Sequence, residues 1–215
     1  MYFQRFLKMK KILFLLNNKK LIKNKTKNKK ICVVGVSRKI GVTHICLCLA
    51  NFIYSVLGKK VIYIELGKES QLLSVVGMKQ VKIGDTIGYE YMGVRYVLTD
   101  NIGITLKLMS TEKAWFIIDM ESLTEETQPI YDNCTNRILI GSLSPWCEKD
   151  LYSFLEKNNN NLDANQMILM VKNKTRKVLY KFKKIYEYET IDMPMINDPF
   201  SLKEENFKEL INIIR

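Results

Sequence analysis

Apolar and polar positions recur along this chain in two periods. The runs Ile31-Cys-Val-Val-Gly-Val36, Val61-Ile-Tyr-Ile-Glu-Leu66, Trp115-Phe-Ile-Ile-Asp119, Arg137–Gly141 and Met167–Val171 are apolar almost throughout. That is the mark of strands covered on both faces. Between the first two, Val42, Ile45, Cys46, Leu49, Ile53, Val56 and Leu57 fall at helical spacing, which predicts a helix over 42–57. Leu47, Cys48 and Phe52 make its other side apolar too, so it should be buried nearly all round, and Gly58 supplies its stop. The stretch 67–114 reads more weakly: a helical turn over 71–76, a hairpin of 89–91 with 94–98 around Gly93, and a helix over 104–110.

Later elements follow the same alternation. A helix over 146–157 is expected to start from Ser144 as N-cap with Pro145 in its first turn. The run 158–161 is polar loop, a basic helix spans 175–185, and a short strand lies near 188–191. Ser201-x-x-Glu204 reads as a capping box opening a last helix with Phe207, Leu210, Ile211 and Ile214 on one face. Strands separated by helices require crossovers, which predicts an α/β fold with a mainly parallel sheet and helices on both faces.

Charge divides the chain. The 215 residues are 47% apolar and 26% charged, with a net charge of +12. Residues 1–30 hold eleven bases and no acid, leaving 23 bases against 22 acids beyond them. The division expected is a basic N-terminal extension, 1–30, and an α/β domain, 31–215. Two readings of the extension stand: a solvated tail, or a basic amphipathic element for a membrane surface or nucleic acid. Met9 is a second candidate start. Five cysteines, odd in number and mostly within apolar runs, read as buried free thiols of a reducing cytoplasm. The Cys46-x-Cys48 spacing fits neither a redox nor a zinc pair. No apolar run reaches 18 residues and no signal-peptide pattern is present, so the protein is expected in the cytoplasm, with peripheral membrane attachment through the extension as the variant.

In such folds ligands bind at the carboxyl ends of the strands, and three features fall there. The loop Gly35-Val-Ser-Arg-Lys-Ile-Gly41 feeds a helix start at Thr43, where backbone N–H groups and the helix dipole suit phosphate. Glu65 and Asp119 close otherwise apolar strands, and a carboxylate there is costly to bury without a partner or cation.

Val33-Val-Gly-Val-Ser-Arg-Lys-Ile-Gly-Val-Thr-His44, Leu49-Ala-Asn51, Gly58-Lys-Lys-Val-Ile-Tyr-Ile-Glu65 and Phe116-Ile-Ile-Asp119 together resemble the ParA/MinD group of P-loop ATPases with deviant Walker A loops. The likeness runs over roughly 31–201 if Asp192-Met-Pro194 and Asn197–Phe200 match the family's late proline-containing segment. It implies a P-loop NTPase-like three-layer sandwich and a phosphate loop at Gly35, Ser37, Arg38, Lys39, Gly41, Val42, Thr43 and His44. It further implies magnesium held through Thr43 and Asp119, with Glu65 in the place of the acid that activates water. ATP and Mg2+ are the implied ligands.

The departures from the pattern fall on one side. The phosphate-gripping lysine position is Val42, the second signature lysine position is Ser37, and the acid two beyond Glu65 is Gly67. Arg38 and Lys39 are the loop's candidates to replace the charge, and a decayed loop kept as scaffold is the other reading. Two function classes follow. One is a non-catalytic positioning, assembly or regulatory module with a protein partner in a larger assembly, as in TadZ-type relatives of pilus and secretion systems. The alternative is a slow ATP-switched ATPase that dimerises on nucleotide. Lys172, Lys174, Arg176, Lys177, Lys181, Lys183 and Lys184 form a basic cluster interleaved with Tyr180, Phe182 and Tyr186; at helical spacing the aromatics read as its buried face, with a nucleic-acid surface as the other reading.

Overall fold

The apolar runs pair side by side. A computed structural model of the chain describes residues 28–67, 70, 72–158, 162, 167–172 and 174–214, so most of the N-terminal extension and of the polar loop 158–161 lies outside the described residues. The strands are β1 (Lys30–Gly35), β2 (Val61–Leu66), β3 (Gln80–Ile83), β4 (Thr86–Tyr91), β5 (Val94–Thr99), β6 (Trp115–Met120), β7 (Asn136–Ser142), β8 (Met167–Lys172) and β9 (Glu189–Asp192). They form one sheet in the order β3-β4-β5-β2-β6-β1-β7-β8-β9. Every pairing from β5 to β9 is parallel, and only the β3–β4–β5 edge is antiparallel.

The helices are α1 (Val42–Ser55), α2 (Leu73–Val76), α3 (Ile102–Thr111), α4 (Gln128–Asp132), α5 (Glu148–Lys157), α6 (Arg176–Ile185) and α7 (Glu204–Ile213). On one face, α1 and α7 close a core with Ile31, Val33, Tyr63, Trp115 and Ile117. On the other, α3 to α6 close a second core with Cys32, Val34, Ile62, Phe116 and Ile118. Successive strand residues alternate between the two cores, which is why the central runs are apolar without a break. The expected three layers are present.

α1 is buried from Ile45 to Ile53, as its all-round apolar pattern implied. It ends where Gly58 takes φ 66 and donates to the Tyr54 carbonyl while Lys59 reaches back to Ile53. Two caps differ from expectation. Ser144 opens only a turn, accepting from Cys147 and Glu148 through its carbonyl, because its hydroxyl is held by that of Ser142 at 3.0 Å; α5 begins at Glu148. The Ser201–Glu204 box is not formed. α7 starts at Glu204, with the Asn206 side chain accepting from the Lys203 amide at 3.0 Å.

Lys30 is already the first residue of β1, and Lys29 donates from Nζ to the Ile214 carbonyl at 2.9 Å, beyond the end of α7. Among the described residues no helix is long and apolar enough to cross a membrane.

Candidate functional site

Parallel register brings the two strand-end acids together. β6 lies between β1 and β2, with Asp119 beside Val33 on one side and beside Glu65 on the other. Residues of one parity share a face, so Glu65 and Asp119 project to the side covered by α1, as Tyr63 and Ile117 do. Thr43, in the first turn of α1, faces the Asp119 carboxylate. Sequence and structure therefore agree that Thr43, Glu65 and Asp119 meet at one edge.

Asp119 is buried, with 5% of its surface exposed. Burial raises its pKa above the ordinary aspartate value, opposed by hydrogen bonds from Tyr63 and Thr43. The Tyr63 hydroxyl donates to Oδ2 at 2.7 Å. Glu65 is half-buried; burial raises its pKa, the Ser70 hydroxyl that donates to it lowers it, and the Asp119 charge raises it again. Cys46, underneath on α1, has its thiol pushed well up by burial and then by Asp119. This is a desolvated acidic pair stabilised by hydroxyl donors. A divalent cation is the other group such a pair can hold, with Thr43 and Asp119 as its donors.

The loop half is built differently. Gly35 ends β1, and a Cβ there would stand 2.8 Å from both the Ile40 and Val42 Cγ2 methyls and 3.1 Å from the Ser37 carbonyl oxygen. Two aliphatic side chains therefore converge over the strand end, Ile40 buried and Val42 half-buried. Ser37 is half-buried. Arg38 lies outside, its Nη2 3.1 Å from Glu121 Oε1 just beyond the end of neighbouring β6. Lys39 is exposed, at φ 59. Gly41 caps α1 at φ 113, a left-handed conformation that favours glycine. A Cβ there would also meet the Met193 methyl at 2.6 Å.

His44 is engaged from the other side of the loop's end. Its Nε2–H donates to the Ile196 carbonyl at 2.7 Å, tying α1 to the segment after β9. Beside it an open cleft of about 650 Å³ is lined by Gly41, Lys172, Lys174, Asp192, Met193 and Asn197, with Lys174 paired to Asp192. The late Pro194 segment thus does reach the loop edge. Trp146 and Met195, after β7 and β9, stand 80% and 90% exposed along the same edge.

Tyr63 and Ser70 escaped the sequence reading. Tyr63 sits in an apolar run and looks like core. The signal was register: two residues before Glu65 on β2, it is diagonal to Asp119, a distance that an aromatic side chain spans. In the basic cluster Phe182 is buried and Tyr186 half-buried, stacked at 5.1 Å. Tyr180 instead lies outside, with Lys184 Nζ 4.8 Å from its ring centre.

No protein-family model matches the chain, and no curated protein matches it. Solved structures do. A plasmid partition protein of Borrelia burgdorferi B31 bound to AMPPNP aligns with a TM-score of 0.61 at 18% identity, over 88% of this chain and 97% of that one. The septum site-determining protein MinD of Pyrococcus horikoshii OT3, complexed with Mg-ADP, aligns with a TM-score of 0.59 at 12% identity, over 87% and 96%. A ParA family ATPase of Chlorobium tepidum TLS aligns with a TM-score of 0.58 at 10% identity, over 87% and 89%. At these identities the likeness carries the fold.

Proposed function

We propose that this chain, whose fold is that of the ParA/MinD-type P-loop NTPases, works as a non-catalytic positioning or assembly module that keeps the nucleotide edge as a scaffold. The observation that carries the reading is the pair of methyls over Gly35. A phosphate loop presents N–H groups and a lysine to a polyanion. Here the lysine position is Val42, and Val42 packs with Ile40 on the strand end. Arg38 is exposed in a surface pair with Glu121 and Lys39 is exposed too, so neither loop cation takes the place of the missing lysine against the strand end. What remains facing a triphosphate is Glu65 and Asp119, of the wrong sign. The residues of the loop half do not fit ATP, although Thr43 and Asp119 fit the metal that would accompany it.

The same edge offers a docking surface. Met195 lines the cleft and Trp146 follows β7, both large, apolar and exposed, the kind of anchor that protein partners cover. The partner in this reading is another protein of a larger assembly or a second copy of the chain, as in TadZ-type relatives. The basic extension is a separate attachment device for an anionic membrane surface or nucleic acid, working by charge.

One observation favours the alternative, a slow ATP-switched ATPase that dimerises on nucleotide: Thr43, Glu65 and Asp119 are brought together as such an enzyme would need. Hydrolysis separates the two. The scaffold reading expects no magnesium-dependent release of phosphate from ATP above that of an Asp119→Ala variant. Turnover that Asp119→Ala abolishes would establish the ATPase instead.

A further inference from the structure

We propose that Tyr63 is a built-in partner for the Asp119 carboxylate, its hydroxyl engaging from within the core the acid that the ParA/MinD-type arrangement turns toward a divalent cation, so that this acid stays ordered without metal. The inference deepens the scaffold reading of the same edge and rests on it only in taking Asp119 as that edge's metal-facing acid.

Geometry carries it. Tyr63 is fully buried, with its ring 5.2 Å from that of Tyr96 in the core under α1. Its hydroxyl ends 2.7 Å from Asp119 Oδ2, within the range of a strong charge-assisted hydrogen bond. Register fixes the approach: Tyr63 stands beside Ile117 and Glu65 beside Asp119, so the phenol reaches along the diagonal from inside the sheet rather than from solvent. The Tyr96 hydroxyl, one strand further out, is buried with no hydrogen-bond partner among the described residues. The phenol at 63 is therefore not simply another core ring whose oxygen happens to be tolerated. It meets the most buried carboxylate of this edge, and Thr43 faces that carboxylate from the other element. Two hydroxyls thus engage an acid that otherwise needs a cation.

The test uses the full chain without nucleotide, comparing thermal unfolding in millimolar magnesium chloride and in potassium chloride of equal ionic strength. The wild type should show the same Tm in both. Tyr63→Phe should unfold at lower temperature in the potassium buffer and recover part of the loss with magnesium. Tyr96→Phe, which removes an unpartnered hydroxyl from the adjacent ring, should show no magnesium response. In a double-mutant cycle, Tyr63→Phe and Asp119→Ala should be coupled by about tenfold or more in the unfolding constant. A wild type that gains as much from magnesium as Tyr63→Phe, or two strictly additive substitutions, would overturn the proposal. Should Tyr63→Phe fail to fold, the near-ultraviolet tyrosine absorption of the wild type and Asp119→Ala decides: it shifts if the phenol is bound to the carboxylate and is unchanged if it is not. Neither readout involves ATP. Turnover would therefore sink the scaffold reading and leave this one standing, and additivity would do the reverse.

Discussion

The acid half and the loop half of the carboxyl edge are adjacent, yet they are held by different forces. Thr43, Tyr63, Glu65, Ser70 and Asp119 form a polar group in which each buried carboxylate has a hydroxyl donor. Gly35, Ile40 and Val42 form an apolar one, with two methyls against Gly35 and a valine in the position of the expected lysine. A polar cluster loses stability when a single partner is removed and its mate is orphaned. An apolar closure loses it when volume is added.

The strongest way to break the loop half is Gly35→Val. Even its Cβ would stand 2.8 Å from two methyls, inside van der Waals contact, with a backbone oxygen at 3.1 Å. It should destabilise the chain by about 3 kcal/mol, read as the urea midpoint at unchanged slope. On the acid side, Asp119→Ala orphans the buried Tyr63 hydroxyl and should cost about 2 kcal/mol in the same assay. If Asp119→Ala instead left stability unchanged, the polar half would not be a supporting network.

Smaller effects sharpen the contrast. Val42→Lys returns the missing charge beside an intact Thr43–Asp119 pair, and should raise affinity for inorganic triphosphate by about tenfold; no rise would mean that Ile40 alone closes the loop. Thiol labelling of the folded chain should be confined to Cys147. It is the half-exposed cysteine, whereas Cys32, Cys46, Cys48 and Cys134 are buried, and burial pushes the Cys48 thiol up to about 12, far from the reactive thiolate. Least of all, Arg38→Ala should cost less than about 1 kcal/mol, since the Arg38–Glu121 pair is exposed and solvent-screened.

Most of the fold was legible because buried parallel strands leave no room for polar residues. The five strands read as apolar runs all lie in the sheet, and the 42–57 helix is where its periodicity put it. The Gly93 hairpin was visible because a glycine separates two short apolar and aromatic runs; in the structure Gly93 takes φ 82 and a Cβ there would strike the Tyr54 ring. β3 was missed because Gln80-Val-Lys-Ile is short and half polar, and at the sheet edge its two polar residues are exposed. The helix at Gln128–Asp132 was missed because five residues carry no period. Ser144 and Ser201 failed as caps because other groups took the hydrogen bonds, and local sequence does not show that competition. In the site, Thr43, Glu65 and Asp119 were legible as strand-end or helix-start polar residues. Tyr63 was not, because its role comes from a diagonal across two strands, and Val42 reads as an absent lysine until its methyl is seen over Gly35.

Calorimetric titration of the full chain with AMPPNP in the presence of magnesium bears most directly on the scaffold account. A loop closed by Ile40 and Val42, with no lysine to meet the γ-phosphate, predicts no saturable binding at millimolar nucleotide. Saturable, magnesium-dependent binding that Asp119→Ala abolishes would contradict it.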